Sequence, residues 1–253
     1  MLREYIEKKK REKGILLMTH IVMGAPDMTT SAKTVEAMVM AGVDLMELQI
    51  PFTEPVADGP VILAANQASL DQGTAVADCF AFAKEVAGKY PIPFLFMSYY
   101  NILFKYGVPG FAQDMAIAGL KGAIVPDLPC EEAEEYCAAM RQNKLDPVFL
   151  FAPTTSDARM TEIAKHGSGF IYCIARKGVT GADTSFSESL DSYLGRARKV
   201  TNLPIALGFG VKAKADIDHL RDKADIAIIG TQSLRVLAEK GVDGVGEFIA
   251  GLR

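Results

Sequence analysis

Two carboxylates stand close together in the sequence, where an apolar segment gives way to a loop. Glu47 interrupts the apolar segment DLMELQI, and Asp58 follows in the loop sequence ADGP. A carboxylate that loses solvation inside a protein can exchange protons near neutral pH, as general acid–base catalysis requires. The pattern favours one pocket that holds both acids. The alternatives are an ion pair of Glu47 with a Lys or Arg on another strand, and simple turn chemistry for Asp58.

Eight short apolar segments alternate with longer segments of helical periodicity, and these elements must position the two acids. The strand segments are 15–22, 44–50, 93–98, 122–127, 146–151, 169–174, 204–209 and 226–230. Nearly continuous apolar strands are typical of a parallel sheet that helices cover on both faces. Eight β/α units in 253 residues indicate a closed (β/α)8 TIM barrel. An open doubly wound sheet is the alternative, because closure leaves no mark in a sequence.

Helical segments connect the strands. In residues 29–42, Ala, Val and Met recur at three- and four-residue steps, and Gly42 stands where a C-terminal cap is expected. The same periodicity recurs in three further segments, 110–119, 131–143 and about 231–252. The charged residues 1–14 are expected to form an extra N-terminal helix that covers the bottom of the barrel. No composition break divides residues 1–253, so we expect a single domain.

Composition excludes several classes of function. The net charge of −4, with scattered basic residues, argues against a nucleic-acid or membrane partner and favours a small metabolite or another protein. The four cysteines are far apart, and the three histidines lie at no metal-ligand spacing from them. We therefore expect reduced thiols, no metal site and no cofactor. The segment ILLMTHIVMG is too short and too polar for a signal sequence or a membrane span, so we expect a cytoplasmic protein.

Polar residues stand at the C-terminal ends of the strand segments, where TIM barrels carry their active sites. Besides the two acids, these are Asp127 and Tyr172, although Asp127 also suits a turn or a helix cap. Three glycine-containing turns follow the last strands, at 178–182, 207–211 and 228–233. Their N–H groups, with the helix beyond Gly230, suit a phosphate, although a single glycine more often serves a turn with positive φ. The polar segment 175–188 is long for a βα connection and indicates a mobile lid.

These motifs together resemble the tryptophan synthase alpha subunit family. Seven segments follow the family's order and spacing: MELQIPFTEPVADGP, MSYYNILFKYG, IVPDLPCEEA, FAPTTSDARM, GFIYCIARKGVTGA, LGFGV and IIGTQS. The resemblance implies a (β/α)8 lyase that cleaves indole-3-glycerol phosphate to indole and glyceraldehyde 3-phosphate in tryptophan biosynthesis. It also implies a beta-subunit partner in an α2β2 heterotetramer, which residues 51–60 and 99–107 would contact.

The resemblance also assigns roles to single residues. Glu47 would be the mobile acid–base group that protonates the indole ring carbon and helps deprotonate the glycerol hydroxyl. Asp58 would hold the indole N–H and stabilise the positive charge that develops on the ring. The other matching positions line the indole and glycerol pocket (Ile62, Tyr172 and Phe209), belong to the lid (Thr180), or surround the phosphate (Gly181, Gly210, Gly230 and Thr231).

Five positions depart from the family pattern: His20, Gln49, Glu54, Leu63 and Ile102. Gln49 stands where glycine is usual, and His20 stands where an aromatic or apolar residue is usual beside the indole. None of the five removes a catalytic group, but they leave open a shifted substrate preference, weak activity or altered pairing with the partner. The alternatives are a divergent paralogue that acts mainly as an allosteric or structural partner, with weak lyase activity, and another phosphate-binding barrel enzyme, such as an isomerase, with His20 as its base.

Overall fold

The computed structural model describes residues 2–175, 183–208 and 210–253. Its strands β1 to β8 span Leu16–Val22, Leu45–Gln49, Phe94–Met97, Gly122–Ile124, Asp146–Phe151, Ile171–Ile174, Ile205–Gly208 and Ile226–Ile229. They are parallel and form a closed barrel in chain order, because β1 pairs with both β2 and β8. The predicted (β/α)8 barrel is confirmed, and each strand lies within its predicted segment. The open doubly wound sheet is wrong.

Helices surround this barrel. Helices α1 to α11 span Leu2–Lys13, Met28–Met40, Pro60–Asp71, Val76–Lys89, Tyr100–Tyr106, Val108–Ile117, Glu134–Gln142, Asp157–His166, Asp183–Val200, Lys214–Leu220 and Thr231–Ala250. Gly42 follows α2 with a φ of +94°, a conformation that glycine adopts without strain and that commonly ends helices. Within the described part of the chain, every helix is too short or too polar to cross a lipid bilayer.

Two predicted boundaries are wrong. Helix α9 begins at Asp183, so the second half of the predicted loop 175–188 is helical; its sequence DTSFSE is rich in residues that favour the first turn of a helix. The helix predicted over 131–143 is divided into a 3₁₀ turn at Cys130–Glu132 and α7. Both errors concern connections, where local propensity decides the boundary more than the hydrophobic pattern does.

The interior of the barrel has an apolar floor. On β1, Leu16 and Met18 point inward and pack in the interior cluster, whereas Leu17 and Ile21 pack outward against the helices. The other strands add inward apolar residues, among them Leu45, Leu95, Ile124, Val148, Ala206 and Ile226. Because side chains alternate along a strand, the next inward position on β1 after Met18 is His20. Inward polar residues at the C-terminal ends therefore stand above this floor.

Helix α1 closes the opposite end of the barrel, as predicted. Three buried aspartates at the starts of β2, β5 and β8 hold it: Asp44, Asp146 and Asp225. Asp146 accepts a hydrogen bond from the Leu2 N–H at 2.9 Å, and Asp44 accepts one from the Lys13 ammonium at 2.5 Å. Asp225 pairs with Lys10. The charged residues of α1 thus anchor it to the strand starts.

Asp225 is the aspartate for which a pH dependence follows directly. Burial raises the pKa of its carboxyl, but the Ile205 N–H at 2.6 Å and the cations of Lys10 and Arg198 outweigh burial and hold this pKa below 3.8. A carboxyl whose pKa is lower in the folded state stabilises the fold once it is ionised. This contribution is complete above the unfolded pKa, and it is lost as pH falls through the lower folded pKa.

We predict that Asp225→Asn lowers the free energy of unfolding by about 1.5–3 kcal/mol at neutral pH, because charge-assisted hydrogen bonds from Lys10 and Arg198 are lost. Urea unfolding measures the change. The variant is also expected to lose less stability than the wild type when pH falls below 3.8. Glu7→Gln is the control, since its ion pair with Arg3 on α1 is solvent-exposed and such pairs contribute little. Equal effects of the two substitutions would contradict the prediction.

Candidate active site

Three polar side chains enter the barrel from β1 and β2. The register of these strands places His20 beside Glu47, and Gln49 lies two residues further along β2 on the same face. All three are buried, with exposed fractions of 4% for His20, 2% for Glu47 and 0% for Gln49. Buried polar groups require hydrogen-bond partners, so their contacts define the chemistry of this end of the barrel.

The Glu47 carboxylate is paired on one oxygen. His20 Nδ1 lies 3.3 Å from Glu47 Oε2, so among the described residues the partner of this acid is a histidine and not the Lys or Arg of the alternative interpretation. Glu47 Oε1 is buried and has no hydrogen-bond partner among the described residues. One oxygen of a desolvated carboxylate is therefore available to give or take a proton.

The Asp58 carboxylate is held by Gln49 of β2 and by Tyr99, which precedes α5. Gln49 Nε2 donates to Asp58 Oδ2 at 2.7 Å, and the Tyr99 hydroxyl donates to the same oxygen at 3.0 Å. Burial, and then the charge of Asp58, raise the pKa of Tyr99 above its ordinary value of 10.0, so this phenol remains a donor. These contacts tie the loop after β2 to the barrel wall, which simple turn chemistry does not require.

Tyr172 is affected by the charges of both acids. It lies on β6, in contact with the interior apolar cluster. Burial, followed by the charges of Glu47 and Asp58, raises the pKa of Tyr172 well above 10.0. A Cβ at Gly208 would stand 3.4 Å from the Tyr172 ring, so the glycine leaves room for the phenol. Tyr172 is therefore close enough to both carboxylates for their charges to raise its pKa, and the convergence of the three side chains on one substrate stays a prediction.

The remaining predicted residues lie around this centre or outside the described residues. Ile62 lies on α3 and packs against the cluster of Val22, Ala25 and Leu234. Gly210 follows β7 with a φ of +78°. Gly230 and Thr231 begin α11, whose N-terminus has no side-chain cap. Thr180, Gly181 and Phe209 lie outside the described residues.

Asp127 has a structural role, as its turn-and-cap interpretation suggests. Both of its carboxylate oxygens accept from the Tyr100 N–H, at 2.9 and 3.1 Å, and so satisfy the first turn of α5. Tyr99 and Asn66 are the contacts that the sequence interpretation missed. Asn66 Oδ1 accepts from the Phe52 N–H at 2.9 Å and so fixes the start of the loop that carries Asp58. The sequence signal that could have identified Tyr99 and Asn66 is that each has a polar group and stands among apolar residues.

The chemistry of the site is that of organic acids and a phenol. In the described ranges, no group of three or more His, Cys, Asp and Glu residues has the arrangement of a metal site. Glu47 and the neutral Tyr172 lie inside the barrel, and Asp58 lies in the loop after β2. The N-terminus of α11, which has no side-chain cap, follows β8. Such a combination is typical of a TIM-barrel enzyme that transfers protons on a phosphorylated substrate.

Comparison with known proteins identifies the family. Residues 6–246 match the tryptophan synthase alpha chain family. The tryptophan synthase alpha chain of Syntrophotalea carbinolica is 60% identical over 253 residues, with 100% of both chains covered. Mycobacterium tuberculosis tryptophan synthase has a TM-score of 0.92 at 31% identity, covering 99% of this chain and 96% of that chain. The Pyrococcus furiosus tryptophan synthase complex has a TM-score of 0.85 at 27% identity, covering 94% and 97%. The chain belongs to the tryptophan synthase alpha chain family and is an enzyme of tryptophan biosynthesis.

Proposed function

We propose that the protein is a carbon–carbon lyase that cleaves indole-3-glycerol phosphate to indole and glyceraldehyde 3-phosphate. The observation that carries this proposal is the placement of two carboxylates at the same end of the barrel: Glu47 is buried on β2, and Gln49 of the same strand holds Asp58 at 2.7 Å. A retro-aldol cleavage of this substrate needs one group that gives and takes protons and a second group that stabilises the positive charge on the ring, and the two acids meet these needs. The family of the chain agrees with this chemistry.

The reaction follows from the two acids. Glu47 gives a proton to the ring carbon that bears the glycerol chain, which forms the indolenine tautomer, and Asp58 stabilises the positive charge at the ring nitrogen. Glu47 then takes the proton of the glycerol hydroxyl next to the ring. The oxygen electrons form the aldehyde carbonyl, the carbon–carbon bond breaks, and its electrons return to the ring as indole forms.

The substrate ring and chain would lie between Ile62, Tyr172 and Phe209, and Thr180 would close over them from the lid. The proposal for Ile62 rests on its position beside Val22 at the end of β1. Tyr172 remains neutral, because burial and the nearby acids raise its pKa. It would therefore contact the substrate as an uncharged wall of the pocket and would not compete with the acids for protons.

The substrate phosphate would bind at the ends of β7 and β8, where Gly181, Gly210, Gly230 and Thr231 converge in this proposal. The uncapped N-terminus of α11 supports it, because free N–H groups and the helix dipole attract an anion. The positive φ of Gly210 supports it as well, since glycine allows the backbone to approach a ligand closely.

We predict that Thr231→Asp raises the KM for indole-3-glycerol phosphate and the Kd for inorganic phosphate about 10- to 100-fold, through repulsion of like charges. An acid in the first turn of a helix does not harm the helix, so the fold should stay intact. Thr29→Asp, in the first turn of α2, is the matched control. Calorimetry measures the binding of phosphate to the wild type and to the two variants. Equal binding by all three proteins would mean that the anion binds elsewhere.

A beta subunit is the proposed partner, in an α2β2 heterotetramer. The solved Pyrococcus furiosus relative is a tryptophan synthase complex. In this chain, the two segments expected at the interface expose large apolar side chains: Val56 is 80% exposed and Phe104 is 72% exposed. Exposed apolar groups of this kind are typical of protein interfaces. Since the segment 51–60 also carries Asp58, a partner bound there would act directly on the catalytic loop.

The function is tested by adding indole-3-glycerol phosphate to the purified protein, alone and with a beta subunit, and measuring indole. We expect indole release in both cases and faster release in the complex. A protein that binds the beta subunit but releases no indole in either case would instead be the structural paralogue. We also propose that the enzyme works in the cytoplasm, which fits its four free cysteines.

A further inference from the structure

His20 occupies an unusual position for an ionisable residue, buried inside the barrel beside the acid assigned to proton transfer. Its ring nitrogen Nδ1 lies 3.3 Å from Glu47 Oε2, and the other ring nitrogen, Nε2, is buried with no partner among the described residues. An unsatisfied buried polar atom costs free energy. A phenylalanine would fill a similar space without that cost, so the histidine requires a reason beyond packing.

The groups around His20 favour a positive charge. From β2, Glu47 and Gln49 face the ring, and Asp58 adds its charge from the loop after that strand. On the other side lies Gly230, the residue after β8, where a Cβ would lie 3.7 Å from the Cβ of His20. Tyr172 on β6 faces the two acids and stays neutral. Among the described residues, the charged groups that act on His20 are therefore the carboxylates of Glu47 and Asp58.

Two opposing effects set the protonation of His20. Burial lowers the pKa of its ring, whereas the hydrogen bond and charge of Glu47, the charge of Asp58 and the contact with Gln49 raise it. The carboxylates prevail, and the pKa of His20 lies above 6.5. The ring accordingly keeps its proton to a higher pH than an isolated histidine does, and this proton stabilises an ionised Glu47 beside it.

We propose that His20 is a positioning residue for Glu47. The Nδ1 atom of His20 holds the Glu47 carboxylate and stabilises its ionised form during the reaction. This inference rests on the proposed lyase function. Glu47 is ionised between its two proton transfers, after it has protonated the ring carbon and before it takes the hydroxyl proton. His20 keeps its proton throughout the reaction. Glu47 gives one proton to the ring carbon and takes one from the hydroxyl, so the two transfers balance. This role explains why an ionisable ring stands at a position suited to an apolar one.

The pairing is tested without activity by NMR titration of the imidazole signals. The chain has three histidines, and His20→Phe identifies the signal of the buried one. In the wild type, we expect His20 to titrate above 6.5. In Glu47→Gln, its pKa should fall, because burial remains and the adjacent charge is gone. A His20 signal that titrates identically in the wild type and in Glu47→Gln would overturn the proposal.

The consequence for catalysis is tested with His20→Phe, His20→Gln and the control His166→Gln, at the exposed end of α8. We expect kcat to fall about 10- to 100-fold in His20→Phe, as expected for loss of a charge-assisted hydrogen bond, with a smaller change in KM. His20→Gln should recover part of kcat, because its amide can still donate to Glu47.

The pH dependence of kcat distinguishes a positioning role of His20 from a packing role. In the wild type, kcat should fall as pH rises through the raised pKa of His20. In both His20 variants the fall should lie at a different pH, because only the loss of the Glu47 proton can then cause it. A His20→Phe enzyme with the kcat and pH profile of the wild type would overturn the inference. A wild type that releases no indole would instead overturn the proposed function, and the NMR titration would still report whether the pair exists.

Discussion

Glu47→Gln is expected to remove nearly all indole formation, with a loss in kcat on the order of 10²–10⁴-fold, the usual contribution of a positioned acid–base group. The amide keeps the shape of the side chain, which is buried at the C-terminal end of β2. It cannot give a proton to the ring carbon and then take one from the hydroxyl. Indole release at saturating substrate measures the effect.

Glu36→Gln provides the matched control for this substitution. Glu36 lies on α2 and forms an exposed ion pair with Lys89, so its replacement should leave kcat unchanged. Urea unfolding should show that Glu47→Gln remains folded. If Glu47→Gln, correctly folded, kept a kcat within about tenfold of the wild type, the acid–base assignment would be wrong.

The strands of this barrel could be predicted because each strand is recognisable from its own residues. Strands buried on both faces are apolar along their length, and each of the eight segments contains such a core. Most predicted segments extend one to three residues beyond the strand, at one end or both. For example, β4 ends at Ile124 rather than at 127, since Asp127 already serves the N-terminus of α5. Polar residues at the strand ends were therefore informative before the fold was known.

The contacts within the site could not be predicted, because they depend on barrel closure. Tyr99 and Asp58 are separated by 41 positions, and nothing in either segment indicates the hydrogen bond between them. Gln49 and His20 stood out as departures from a family pattern, but only the register of β1 and β2 shows that they contact Asp58 and Glu47. Residue types indicated that this region carries chemistry, and the fold supplied the pairs.

The closure of the barrel bottom was predictable in outline only. The charged character of residues 1–14 indicated a surface helix, yet its charges are used against buried aspartates at the strand starts. From its neighbours in the sequence, each of these aspartates resembles an ordinary turn residue before a strand. Asp44 also pairs with Arg253, which joins the last residue of the chain to the same end of the barrel. Long-range ion pairs of this kind leave no periodic signal in the sequence.

Asp58→Asn is the second substitution with a large expected effect, again on the order of 10²–10⁴-fold in kcat. Asparagine keeps the shape of the side chain and one oxygen that can accept from Gln49 or Tyr99. It removes the negative charge that would stabilise the positive charge on the indole nitrogen. The loss should therefore appear in kcat, and binding of inorganic phosphate at the ends of β7 and β8 should not change.

Two further variants distinguish the charge of Asp58 from its placement. Tyr99→Phe removes one donor and keeps the carboxylate, so its kcat should fall by no more than about tenfold, because Gln49 still donates to the same oxygen of Asp58. Asp127→Asn replaces a carboxylate that caps α5, and it should lower stability while the isolated chain keeps its kcat. If Asp58→Asn lost no more activity than Tyr99→Phe, Asp58 would only hold its loop in place, and the charge on the indole nitrogen would need another partner.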